Sequence, residues 1–120
     1  MVGRWSLRPF QVRLQVEDGL VTIAVSGVLD THAAAMTRDE VLAVCGLAKA
    51  VTIDLRAVCE LRSDARLEAF LDEVRSHCEL TLCRLQVIAT HPQVLQVLRS
   101  WGTESSSWRA EWRTRSTGVR

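Results

Sequence analysis

The chain has 120 residues, enough for one domain around one hydrophobic core and too few for two. Hydrophobic residues make up 48% and charged residues 24%, the balance of an ordinary globule rather than a disordered or fibrous chain. The formal net charge is +1, no apolar run approaches the roughly 20 residues of a spanning helix, and MVGRWSLRPF lacks a signal-like apolar stretch. A cytoplasmic protein is expected, with no nucleic-acid partner and no membrane insertion.

Residues 1–10 read as an N-terminal extension. From Phe10 to Val16 the sequence alternates, with Phe10, Val12, Leu14 and Val16 on one side and Gln11, Arg13 and Gln15 on the other. That is the period of a half-buried strand. Asp18-Gly19 is a hairpin turn signal, and Leu20 to Ser26 returns with Val21, Ile23 and Val25 on one face. Gly27-Val28-Leu29-Asp30 reads as a break. Thr31 is a cap candidate for an alanine-rich helix from His32 to Leu47, with Ala35, Met36, Val41, Leu42 and Cys45 as its buried stripe.

Val51 to Leu55 reads as a short strand, followed by a polar turn and an amphipathic helix from about Asp64 to His77, carried by Leu67, Phe70, Leu71 and Val74. Leu80 to Ala89 is expected as a strand covered on both faces, because Leu85, Val87, Ile88 and Ala89 are nearly continuous. Pro92 suits the first turn of a last helix, with Val94, Leu95, Val97, Leu98 and Trp101 on its apolar side and Gly102 at its stop. The order β-β-α-β-α-β-α implies an α/β domain: a hairpin, then a mixed sheet of four to five strands with three helices packed against it. Residues 103–120 lose the periodicity and read as a flexible tail, in which Trp108 and Trp112 would share a face if a short helix formed.

The four cysteines, Cys45, Cys59, Cys78 and Cys83, show no CxxC spacing, so no metal and no cofactor is expected. Cys45 and Cys83 fall on apolar faces; Cys59 and Cys78 lie near element ends, where more exposure is expected. A thiol redox sensor using Cys59, Cys78 or Cys83 would need a depressed thiol pKa in an accessible, electropositive setting, and Arg84 beside Cys83 is the one hint of it. No Ser/His/Asp arrangement and no glycine-rich phosphate loop is present, so the chain reads as a binding module and not an enzyme.

Three stretches carry a resemblance. Val21 to Asp30, VTIAVSGVLD, resembles a strand ending in Gly-x-Leu-Asp; Ala50 to Val58, AVTIDLRAV, resembles a central strand ending in Asp-Leu; Thr90 to Gly102 resembles a closing helix that starts near proline and ends at glycine. In this order and spacing they resemble the STAS domain of bacterial anti-sigma factor antagonists, over Val12 to Gly102 within a domain at 11–102. The resemblance implies partner switching with an anti-sigma factor, a histidine-kinase-like ATPase, which phosphorylates a serine where the helix after the central strand begins. A monomer or a weak homodimer is expected.

At that helix start the family has Asp-Ser-Ser-Gly or a close variant; here the sequence is Leu61-Arg62-Ser63-Asp64-Ala65-Arg66-Leu67. Counting forward from Asp54-Leu55 places Ser63 at the acceptor; counting back from Pro92 places Asp64 there, so the segment carries an inserted residue. The family's glycine is replaced by Ala65 or Arg66. Ser63 is the phosphoacceptor candidate, with a plain N-cap as its other reading; Arg62 and Arg66 are positioned to hold a phosphate. Asp64 offers a permanent carboxylate in place of a regulated phosphate, or simply favours the first helical turn. The expected partner-binding surface is Asp30, Thr31, His32, Glu60, Arg62, Ser63, Asp64 and Arg66, with Asp30 also a candidate cap. Degraded acceptor chemistry also suits a non-phosphorylated STAS subunit of a transporter-accessory or signalling complex.

Overall fold

The structure is a computed structural model that describes residues 10–100 and the backbone of 108–111. Two antiparallel strands come first, β1 (Phe10–Glu17) and β2 (Leu20–Leu29). Asp18 and Gly19, both with positive φ (51° and 81°), join them in a two-residue turn whose twist matches the strands. Then follow α1 (Thr31–Val44), β3 (Ala50–Leu61), a 3₁₀ turn (Ser63–Ala65), α2 (Leu67–Leu80), β4 (Arg84–Ile88), α3 (Pro92–Ser100) and β5 (Trp108–Glu111). The five strands form one sheet in sequence order; after the antiparallel hairpin, every neighbouring pair is parallel. This is a single α/β domain with a mixed sheet and three helices.

The sheet has one greasy face. Val21, Ile23 and Val25 of β2, Val51, Ile53 and Leu55 of β3, and Leu85 and Val87 of β4 are all buried. The helices close over them with Ala33, Ala34 and Val41 of α1, Phe70, Leu71, Val74 and Cys78 of α2, and Val94 and Leu98 of α3. Residues pointing the other way, such as Thr22, Thr52, Asp54 and Gln86, are half-buried. There Thr52 donates to Gln86 at 3.3 Å, and Arg56 pairs with Asp54 at 2.8 Å.

Several expectations are corrected. β4 is not covered on both faces: Ile88 is half-buried, and residues 80–83 belong to the end of α2 and a turn. Gly27 does not end β2. Its φ of 89° sits inside the strand, which continues to Leu29. The α1 stripe is Ala33, Ala34, Thr37, Val41 and Cys45, at helical spacing, while Met36 is exposed. Buried Thr37 is tolerated because its hydroxyl donates to the Ala33 carbonyl at 2.8 Å. β1 alternates as expected, but only Phe10 and Val12 pack against the core; Leu14 and Val16 are exposed. Within 103–120, residues 108–111 pair with β4 as a strand, not a helix. Residues 1–9, Trp101 and Gly102, and the rest of the tail including Trp112, lie outside the described residues.

β3 is twelve residues long rather than five, and runs from Asp54 to Leu61 past its last pairing with β4. Its pairing with β2 shifts between Ala24 and Ser26 and again between Gly27 and Val28. At each shift β3 spends an extra residue, so the strand is bulged twice before it reaches the turn.

Candidate docking site

β2 and β3 end side by side, with Leu29 opposite Leu61. The Arg62 N–H donates to the Leu29 carbonyl at 2.9 Å, which pins the turn after β3 against the turn after β2. Asp30, next in the chain, is the N-cap of α1: its Oδ1 accepts from the Ala33 N–H at 2.9 Å. Thr31 is the first helical residue rather than the cap, and His32 is an exposed residue of α1's first turn.

The 3₁₀ turn is closed by N–H donors of Ala65 to Arg62 and of Arg66 to Ser63, both at 3.1 Å. Ala65 is buried and anchors the turn; Arg62, Ser63, Asp64 and Arg66 are exposed. Arg66 then adopts φ 49°, ψ 60°, a left-handed conformation that costs an L-residue about 1–2 kcal/mol. It is the N-cap of α2 without a side-chain cap, and its carbonyl accepts from Phe70 at 2.9 Å. The expected helix start at Asp64 is therefore corrected to Leu67, and Ser63 is not an N-cap of α2. The free N–H groups of that helix belong to Leu67, Glu68 and Ala69.

Two grooves meet at Ser63. One of about 810 Å³ runs between α1 and α2 and is lined by Thr31, Arg38, Ser63, Asp64, Arg66 and Glu73 among others. The other, about 460 Å³, is framed by Arg62, Ser63, Leu67 and Glu68 on one side and Gln93, Gln96 and Val97 of α3 on the other. Arg62 is occupied with Glu60, Nε to Oε2 at 2.7 Å. Arg38 lies 3.3 Å from Asp39 and 3.8 Å from Glu73. Among the described residues, the Ser63 hydroxyl has no hydrogen-bond partner and Arg66 no ion-pair partner. The structure thus gathers Asp30, Thr31, Glu60, Arg62, Ser63, Asp64 and Arg66 at one end of the sheet. His32, next to Thr31 in the chain, lines neither groove. The groove walls Arg38, Glu68, Glu73, Gln93 and Gln96 were not legible in the sequence, since nothing there shows which exposed helix edges face each other.

The thiols point elsewhere. Cys45, Cys78 and Cys83 are buried, which corrects the exposure expected for Cys78; Cys59 is exposed on β3. Burial, with Cys83 and Cys45 nearby, pushes the Cys78 thiol up to about 12, and burial raises Cys83 as well. Both shifts oppose thiolate formation, the reverse of what a redox-active cysteine needs. No described helix is long and apolar enough to cross a membrane.

No protein-family model and no curated protein sequence matches the chain. Its backbone does match solved structures. The unphosphorylated anti-sigma factor antagonist SpoIIAA aligns with a TM-score of 0.65 at 17% identity, covering 92% of this chain and 94% of that one. An anti-sigma factor antagonist from Mycobacterium paratuberculosis aligns at 0.65 and 21%, covering 92% and 91%. The phosphorylated Bacillus SpoIIAA aligns at 0.66 and 17%, covering 92% and 96%. A Moorella thermoacetica RsbS bearing glutamate in place of a serine aligns at 0.64 and 18%, covering 88% and 89%. With its hairpin, parallel strands and three helices superposing along nearly the whole chain, this protein has the STAS fold of the anti-sigma factor antagonists.

Proposed function

We propose that this chain is a regulatory docking module: an anti-sigma factor antagonist that binds an anti-sigma factor or a related histidine-kinase-like ATPase domain in the cytoplasm, with Ser63 as phosphoacceptor. The observation that carries the reading is the exposed, unbonded Ser63 hydroxyl at the meeting point of the two grooves. Structural neighbours that exist in phosphorylated and unphosphorylated forms support it. The role is binding rather than catalysis. The phosphoryl group would come from ATP bound to the partner, with Ser63 Oγ as the acceptor.

A phosphate on Ser63 adds about −1.5 to −2 charges and three strong acceptors. Arg66 is the cation available to it, because Arg62 is already paired with Glu60. Asp64 and Glu68 are close by and would be joined by a third negative group. The mouth of both grooves turns acidic, and a complementary partner surface loses affinity by repulsion and desolvation. The test is phosphate transfer from ATP by the anti-sigma kinase of the source organism, with the complex followed by gel filtration. Native protein should accept one phosphate and dissociate. Equal labelling of Ser63→Ala would exclude Ser63 as the acceptor.

A constitutive role is the second reading, favoured by exposed Asp64 on the same turn. A fixed carboxylate there suits a permanently bound STAS subunit in a transporter-accessory or signalling complex. Under that reading Asp64→Asn changes partner affinity, while Ser63→Ala leaves it unchanged.

A further inference from the structure

We infer that the outer edge of β1 is an interface between two copies of this chain, which pair antiparallel about a twofold axis through Gln15. Among the described residues that edge has no partner strand. The turn at Asp18-Gly19 fixes which backbone groups are free. In a two-residue hairpin the flanking pair, Glu17 and Leu20, is hydrogen-bonded. Glu17, Gln15, Arg13 and Gln11 then bond inward to β2, while Val16, Leu14, Val12 and Phe10 aim their N–H and C=O outward. These outward residues carry the strand's apolar side chains. Phe10 and Val12 rest against the core, but Leu14 is 46% exposed and Val16 62%. A free edge flanked by exposed apolar side chains is what a second strand covers.

Charge selects the occupant and the register. On the polar face, Arg13 and Glu17 are both exposed, and neither has an ion-pair partner among the described residues. An axis through Arg13 would set that residue against its own copy, and like charges directly opposite destabilise a sheet. An axis through Leu14 would oppose Arg13 to a neutral glutamine. An axis through Gln15 opposes Arg13 to the partner's Glu17 and Leu14 to the partner's Val16, each twice by symmetry. Only this last register joins opposite charges, closes outward backbone groups on each other, and covers the two exposed apolar residues together. The two sheets become one sheet of twice the width. The contact is self-complementary, as a twofold interface requires.

Sedimentation equilibrium of the full chain tests this, with the mass expected to rise from one copy towards two as concentration increases. Arg13→Glu should weaken association about tenfold, as should Glu17→Arg, because each sets like charges opposite one another. An equimolar mixture of the two variants should associate again, and so should the chain carrying both changes. Gln15→Cys in a Cys59→Ser background should crosslink rapidly when diamide takes the two thiol hydrogens. The facing residues form a non-hydrogen-bonded pair with Cα atoms about 4.5 Å apart, within disulfide range. Leu14→Cys, offset from its own copy, should crosslink much more slowly. A single-copy mass at every concentration, Arg13→Glu associating like native protein, or Leu14→Cys crosslinking faster than Gln15→Cys would overturn the inference. None of these variants touches the Ser63 turn, so their outcome is separate from that of phosphate transfer.

Discussion

Among the described residues Leu82 is the most exposed large apolar one, at 91%, and it sits at φ 57° just past α2. The Cys83 N–H reaches back to the Cys78 carbonyl at 2.8 Å, the bond that closes a left-handed helix terminus. Glycine is the residue suited to this position. Leu82→Gly should stabilise the protein by about 0.5–1 kcal/mol in urea unfolding, since relief of the left-handed strain exceeds the added flexibility of the unfolded chain and no packing is lost. The thiols give a second residue-level prediction. Under native conditions a thiol reagent should label Cys59 promptly and reach Cys45, Cys78 and Cys83 only on unfolding, because those three are buried. Fast labelling of any buried thiol would reopen the redox reading.

Among the elements, α1 depends on its cap. Asp30→Ala removes the acceptor for the Ala33 N–H and should cost about 1 kcal/mol, while Asp30→Asn should retain most of it. Thermal unfolding of the two variants separates capping from charge. The sequence showed α2 and α3 well, because Leu67-Phe70-Leu71-Val74 and Val94-Leu98 keep helical spacing against a single sheet. It showed β3 poorly. The two bulges break alternation so that Leu55 and Val58, three apart, are both buried while Arg56, Cys59 and Glu60 read as a turn. Ser63-Asp64 looks like a helix start because short polar side chains favour both caps and 3₁₀ turns. No residue pattern announces that Arg66 will be left-handed. Ser63 and Asp64 can be singled out from the sequence because they lie on the exposed connection itself; the facing walls on α1 and α3 required the tertiary arrangement. β5 did carry alternation in Trp108-Arg109-Ala110-Glu111, but over four residues beside serine clusters it read as part of the tail.

At the scale of the whole molecule, the buried thiols set an alkaline limit. Cys78 has an ordinary value near 9.0 when unfolded and is held at about 12 in the native state. Above pH ~9 the unfolded chain therefore binds fewer protons than the folded one, and stability falls as pH rises from there towards 12. Below pH ~9 this contribution is fully present. The chain has no tyrosine and only Lys49 as a lysine, so few other groups titrate in that window. Melting temperature should be flat at neutral pH and decline above pH ~9. Cys78→Ala should melt lower at pH 7, through lost packing, yet show a shallower alkaline decline. A native protein with no alkaline decline would contradict the burial of this thiol.

The doubled irregularity in β3 falls beyond the last rung shared with β4 and before the segment bearing Ser63. Residues added or removed there are taken up as slack, without sliding Val51, Ile53 or Leu55 off the helices. The length of the connection that carries the recognition tip is thereby uncoupled from the register of the hydrophobic layer.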